Sequence, residues 1–184
     1  MKQILLLDNY DSFTFNLQHY LIGFNVEVDV VRNDVKIDTM SKYDGIVVSA
    51  GPGLPKDAGA LMEVLSFAQG SIPVLGVCLG MQGMCEFLGG ELYNQSVVKH
   101  GVKEVVQIES GALFGGVDSE IEVGLYHSWA VDDGGDYEVV ARSKNNVIMA
   151  IENRDSKFYG VQFHPESIMT TSGKQIIKNF IDLL

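Results

Sequence analysis

Apolar positions fall into two regimes along the chain. In the first half, short continuous apolar runs alternate with amphipathic stretches. Residues 3–7 read as a buried strand, stopped by the polar turn Asp8-Asn9-Tyr10-Asp11. Asp11 or Ser12 can then cap a helix that carries Phe13, Leu17, Tyr20, Leu21 and Phe24 on one face. Strands are expected at 26–31 and 46–49, followed by a loop, 50–59, with two prolines and three glycines. A helix through Leu61, Val64, Leu65 and Ala68 comes next, then an apolar strand at 73–77. Continuous apolar strands separated by helices argue for a parallel sheet covered on both faces.

From about residue 91 the pattern changes to short strands, at 102–108, 120–125, 137–141, 147–152 and 158–163. Turns at 132–136 and 144–146 separate some of them, and a last helix, 172–184, buries Ile176, Ile177, Phe180, Ile181 and Leu184. No repeat, low-complexity tract or linker interrupts the chain, so residues 1–184 are expected to form one domain. The fold class is α/β: a mostly parallel central sheet flanked by helices, with a β-rich second half returning to it.

The chain's 184 residues are 46% hydrophobic and carry a net charge of −11. That length supports a core without disulfides or metal, since such a domain buries roughly 70% of its unfolded surface. The acidic balance argues against nucleic acid, whose phosphates require basic contacts, and no basic cluster suits an anionic membrane surface. The N-terminal apolar run is too short for a signal-peptide core or a membrane span, so a cytoplasmic location is expected. Cys78 and Cys85 suggest neither a disulfide framework nor a metal spacing. No metal or cofactor site is read from the sequence.

Candidate chemistry concentrates in Pro73-Val74-Leu75-Gly76-Val77-Cys78-Leu79-Gly80-Met81-Gln82. A buried strand runs into a cysteine flanked by glycines at −2 and +2, and a helix follows. This is a nucleophile elbow with Cys in the place of Ser. The sharp turn brings backbone segments together, which glycine tolerates, and the helix N-terminus favours thiolate, where a free thiol titrates only near about 8.5. The Leu79 N–H is positioned to donate to an oxyanion. The plain alternative is a small buried cysteine in a glycine-rich joint. Cys85, among Met84, Phe87 and Leu88, reads as packing.

Of the four histidines, His19 lies mid-helix and suits a surface or packing role. His164 ends a strand and is followed by Pro165 and Glu166, whose carboxylate can reach back to orient the imidazole. A strand-end histidine satisfied by backbone is the alternative. The segment Ser49-Ala50-Gly51-Pro52-Gly53-Leu54-Pro55 lies at a strand's carboxyl end, where open α/β sheets bind ligands. Its backbone N–H groups could complete an oxyanion hole, or it could be a rigid turn; no GK[ST] follows, so it is not a phosphate loop.

GVCLGMQ (76–82), GVQFHPES (160–167), SAGPGLP (49–55), DNYDSFT (8–14) and YHS (126–128) together resemble the class I, triad-type, glutamine amidotransferases across nearly the whole chain. DNYDSFT with GPGLP most resembles the glutaminase subunit of anthranilate synthase or aminodeoxychorismate synthase. The resemblance implies a flavodoxin-like fold of that family. It implies that Cys78 attacks L-glutamine to give a glutamyl thioester, that His164 moves protons and that Glu166 orients it. It also implies an oxyanion site at Gly53 and Leu79, with Gly51 and Pro52 in the same loop. Gln82, Ser128 and Trp129 would hold the amino-acid end of glutamine, and the ammonia would pass to a separate chorismate-binding synthase subunit. Met81 stands where this branch more often has His, Leu125 where Arg is usual and Val102 where Lys is usual; the last two are expected to face the partner. Two rivals remain: a free-standing Cys-dependent γ-glutamyl amide hydrolase, and a catalytically silent binding subunit of the same fold.

Overall fold

The computed structural model describes residues 1–34 and 36–184. Four parallel connections build one half of its nine-stranded sheet: β1 (Gln3–Asp8) lies between β2 (Glu27–Arg32) and β3 (Gly45–Val48), and β4 (Val74–Val77) joins β3 to β9 (Phe158–Val161). The other half is antiparallel, running outward from β9 through β8 (Ile148–Asn153), β7 (Glu138–Ser143), β5 (Leu92–Ile108) and β6 (Glu120–Val131).

The parallel strands are apolar on both faces because both are covered. Alternate residues of β1 go to opposite sides: Ile4 and Leu6 join a cluster with Leu17, Leu21, Ile177 and Phe180, whereas Leu5 and Leu7 join one with Leu61, Leu65, Met81 and Met84. The first cluster is closed by α1 (Thr14–Ile22) and α4 (Gly173–Asp182), the second by α2 (Leu61–Ala68) and α3 (Leu79–Phe87).

Strands β5 and β6 and the first helix differ most from the sequence expectation. β5 begins ten residues before position 102 and β6 continues six past 125, making a long ribbon. Much of β5 is exposed, so no clean apolar alternation marks its start, and its register with β6 shifts between Asn94 and Lys99 and again between His100 and Val102. The first helix starts at Thr14 with Phe13 as its N-cap and no side-chain cap, so neither Asp11 nor Ser12 caps it; Asp11 Oδ2 instead accepts from the Phe13 N–H (2.7 Å) in the turn before the helix. No described helix is long and apolar enough to cross a membrane.

The topology brings the carboxyl ends of β1, β3, β4 and β9 to one edge. The β5–β6 ribbon is tied to that edge: His164 N–H donates to the Gly124 carbonyl (3.1 Å), and Thr170 Oγ accepts from the Gly124 N–H (3.0 Å) while donating to the His164 carbonyl (2.6 Å).

Candidate active site

Cys78 lies between β4 and α3 with φ 52° and ψ −101°. For a residue with a Cβ such a backbone costs of order 1–3 kcal/mol and persists only when its surroundings hold it. Here its N–H donates to the Val161 carbonyl (2.8 Å) and its carbonyl accepts from the Gln82 N–H (3.0 Å). The flanking glycines are required by contact. A Cβ on Gly76 would stand 2.6 Å from the Gly80 carbonyl carbon, and one on Gly80 would stand 2.6 Å from the Val48 carbonyl oxygen. The strand and helix thus meet backbone to backbone, with the thiol at the joint.

His164 follows β9, and its Nδ1 lies 2.7 Å from Glu166 Oε1, both side chains being buried. A carboxylate can only accept here, so Nδ1 carries the proton and Nε2 is left for chemistry. Phe13 and Tyr126 pack edge-on against the imidazole, with ring centroids 5.4 and 5.0 Å away. Burial alone would pull its pKa down, but the adjacent Cys78 sulfur and the Glu166 carboxylate outweigh it and raise the pKa to about 10. Nε2 nevertheless makes no hydrogen bond of proper geometry among the described residues. The Cys78 sulfur and the ring are neighbours, with Nε2 unpaired between them.

Two cavities meet at Cys78. One, of about 210 Å³, is lined by Gly51, Pro52, Gly53, Gln82, Ser128 and Trp129 together with Tyr126 and His127. The other, of about 360 Å³, reaches Asp11, Phe13, His100 and His164. Six of the seven residues expected to bind substrate therefore surround one cavity. The seventh, Leu79, is the first residue of α3; its side chain is buried, and its N–H belongs to the helix turn that lacks intrahelical acceptors.

The loop bearing Gly51 to Gly53 is anchored by Asn9. The Asn9 N–H donates to Ser49 Oγ and its Nδ2 to the Ser49 carbonyl, both at 2.9 Å. Gly51 lies so close that a Cβ would meet the Asn9 Cβ and carbonyl oxygen at 2.6 Å. DNYDSFT and SAGPGLP, far apart in sequence, are one structural unit.

Several residues here carried no role in the sequence reading. Gln162 is fully buried with Nε2 at 3.5 Å from Cys78 Sγ. Its signal was a polar residue inside an otherwise apolar strand end. His127 is buried, its Nδ1 lies 2.7 Å from the Trp129 carbonyl, and burial above all holds its pKa below the usual imidazole value. Asp11, His164 and Glu166 bring ligand-type atoms within 4.8 Å of one another, but the hydrogen bond between the last two already engages that pair.

Cys85 is fully buried, burial pushes its thiol pKa up, and it lies apart from both cavities. His19 is exposed on α1. One expectation is corrected. Leu125 belongs to the core with Val123 and Phe163 and has no exposed surface, so it cannot face a partner; its strand neighbour Val102 is 37% exposed. An inward position on β6 excludes the side chain from any docking surface.

A family model described as glutamine amidotransferase class-I matches residues 5–183. The chain is 38% identical to the aminodeoxychorismate/anthranilate synthase component 2 of Bacillus subtilis, with 97% of this chain and 95% of that protein covered. It is 39% identical to the aminodeoxychorismate synthase component 2 of Escherichia coli, covering 97% and 98%. Among solved structures, a Thermoplasma acidophilum protein ascribed to GMP synthase superposes with a TM-score of 0.91 at 26% identity, covering 100% of this chain and 94% of that one.

Proposed function

The chain belongs to the class I glutamine amidotransferases and is a glutaminase-type amidotransferase subunit; from that premise we propose that Cys78, His164 and Glu166 release ammonia from L-glutamine for a chorismate-using synthase subunit. Cys78 Sγ attacks the side-chain amide carbon. The developing oxyanion is met by the backbone N–H groups of Leu79 and Gly53, where one donor is worth about 2.7–4 kcal/mol. The imidazolium of His164 gives its Nε2 proton to the leaving nitrogen, so ammonia departs and a glutamyl thioester remains. Neutral His164 then takes a proton from water, whose oxygen attacks the thioester and releases glutamate and the thiolate.

The observation that carries this reading is the meeting, at the wall of the larger cavity, of a strained Cys78 and a His164 whose Nδ1 is held by a buried carboxylate. The smaller cavity suits an amino acid in size and in its polar rim of Gln82 and Ser128. Gln82 uses both hydrogens of its amide on the Trp129 carbonyl and on Gln162, so it offers its Oε1 as an acceptor for the substrate ammonium.

The partner part of the reading draws on relatives described as component 2 of synthases. It also draws on exposed apolar side chains beside the site: Tyr10, which lines the larger cavity, and Ile168, which lies with Tyr126 and Glu166 and has 97% of its surface open.

The test is mass-mapped labelling with an electrophilic glutamine analogue, alongside glutamate release with and without a chorismate-using synthase subunit. An adduct on Cys78 that excess glutamine suppresses, and release that quickens on docking, are expected. Labelling confined to Cys85, or none in the presence of the partner, overturns the assignment of the nucleophile. Release that is equal with and without the partner favours a free-standing hydrolase.

A further inference from the structure

We infer that Gln162 is a catalytic hydrogen-bond donor to the Cys78 sulfur, held in its donating orientation by Gln82 and the Trp129 carbonyl. The inference deepens the proposed glutaminase reading and rests on it for the identity of the reaction.

The orientation follows by elimination along one chain of contacts. The Trp129 carbonyl oxygen can only accept, and the Gln82 amide lies 3.1 Å from it, so Gln82 must present its NH₂. The second hydrogen of that NH₂ is directed to Gln162, 3.1 Å away, which must therefore present its Oε1. Gln162 is thus turned with its own NH₂ toward Cys78 Sγ, at 3.5 Å. Reversing the Gln162 amide would set two NH₂ groups face to face and two acceptors, Oε1 and sulfur, against each other. In a buried site that arrangement is costly, because unmet polar groups have no water to turn to.

The chemistry of the donor matters because the sulfur is neutral in one form and anionic in the other. An amide N–H gains more from a thiolate than from a thiol, since hydrogen bonds to charged acceptors are roughly twice as strong. Gln162 is neutral throughout, so it favours the nucleophilic form without competing for the proton that His164 must move. The ionisable groups lining the two cavities beside the sulfur are Tyr10 and Asp11 after β1, His100, Tyr126 and His127 on the β5–β6 ribbon, and His164 after β9, with Glu166 hydrogen-bonded to His164. None of them is within hydrogen-bonding geometry of Gln162 Nε2. The same chain of amides joins the substrate cavity to the nucleophile, because Gln82 lines the cavity while Gln162 touches the sulfur.

The experiment uses the full chain and iodoacetamide, an alkylating agent that requires no glutaminase cycle. The alkylation rate of Cys78, mapped by mass, is followed from pH 5 to 10 for the unsubstituted chain, Gln162→Met and Gln162→Glu, with near-ultraviolet circular dichroism reporting native packing. The expected result for Gln162→Met is a rise displaced by about one pH unit to higher pH, equivalent to about tenfold less thiolate at neutral pH. Gln162→Glu is displaced further, because a carboxylate opposes the thiolate. Gln82→Met, on a helix that accommodates methionine, removes the orienting contact and gives a displacement in the same direction. It keeps the test open if Gln162 variants do not fold. Glutamate release should show kcat falling more than KM rises for Gln162→Met, with partial recovery at high pH. Superimposable alkylation profiles for folded Gln162→Met or Gln82→Met overturn the inference, whatever glutamate release does. Absence of glutamate release from the unsubstituted chain even with a chorismate-using synthase subunit present, together with displaced profiles, overturns the glutaminase reading and leaves the role of Gln162 standing.

Discussion

Replacing Glu166 by Gln keeps the shape of the site and removes one charge, so it measures what orientation of His164 is worth. In the unsubstituted chain the Nδ1–H donates to Glu166 Oε1 at 2.7 Å, with both groups buried. A hydrogen bond to a charged partner contributes about 1.5–3 kcal/mol and a neutral one about 0.5–1.5. The difference, about 1–2 kcal/mol, corresponds to a loss of roughly 5–30-fold in glutamate release. Glu166 Oε2 has no partner among the described residues, so the new amide NH₂ would also be buried and unpaired, which lowers stability modestly. The imidazole should lose protons more easily as well: burial is left opposed mainly by Cys78, and the ring titration seen by NMR should fall. On the proposed mechanism His164→Ala removes proton transfer itself, an effect of about 10²–10⁴. Steady-state glutamate release compares the two variants directly. A Glu166→Gln variant as impaired as His164→Ala, or as active as the unsubstituted chain, would refute the division of roles.

Three further outcomes follow from other parts of the structure. Cys78→Ala should abolish glutamine-dependent product formation by the assembled complex while ammonia-dependent synthesis persists; loss of both would show that Cys78 supports folding or docking. Gly80→Ala drives a Cβ to within 2.6 Å of the Val48 carbonyl and should cost at least about 1–3 kcal/mol. Urea titration reads this, and an unchanged midpoint would contradict the close helix–strand contact. The raised pKa of His164 adds stability that is complete below the unfolded imidazole value of about 6.5 and drains away as pH climbs toward about 10. Denaturation midpoints of the unsubstituted chain should therefore drop more steeply from pH 7 to 10 than those of His164→Gln, and parallel curves would disprove the assignment.

Local chemistry made much of this protein legible from its amino acids. The parallel half was readable because both faces of those strands are buried, leaving continuous apolar runs such as residues 4–7 and 74–77. The elbow was readable in part because the constraint on Gly76 comes from Gly80 and Met81, four and five positions on, whereas the constraint on Gly80 comes from Val48 on β3 and exists only in the folded sheet. The link from His164 to Glu166 spans only two residues. The ribbon was read short because β5 is largely exposed and bulged, so its pattern lacked the alternation that a half-buried strand displays. Nor did the sequence distinguish Leu125 as core from Val102 as surface, since that depends on which face of β6 meets the sheet.

The tertiary structure alone decided the polar wiring around Cys78. Gln82 meets Trp129 across 47 positions and Gln162 across 80, and Gln162 meets Cys78 across 84. No local spacing encodes those contacts, because they exist only when β4 pairs with β9 and the β5–β6 ribbon folds back over the sheet's edge. Hydrophobic period and turn chemistry act over a few residues and so are written in the sequence. The direction in which a buried amide faces depends on acceptors brought to it by strand pairing, and only the folded chain supplies them.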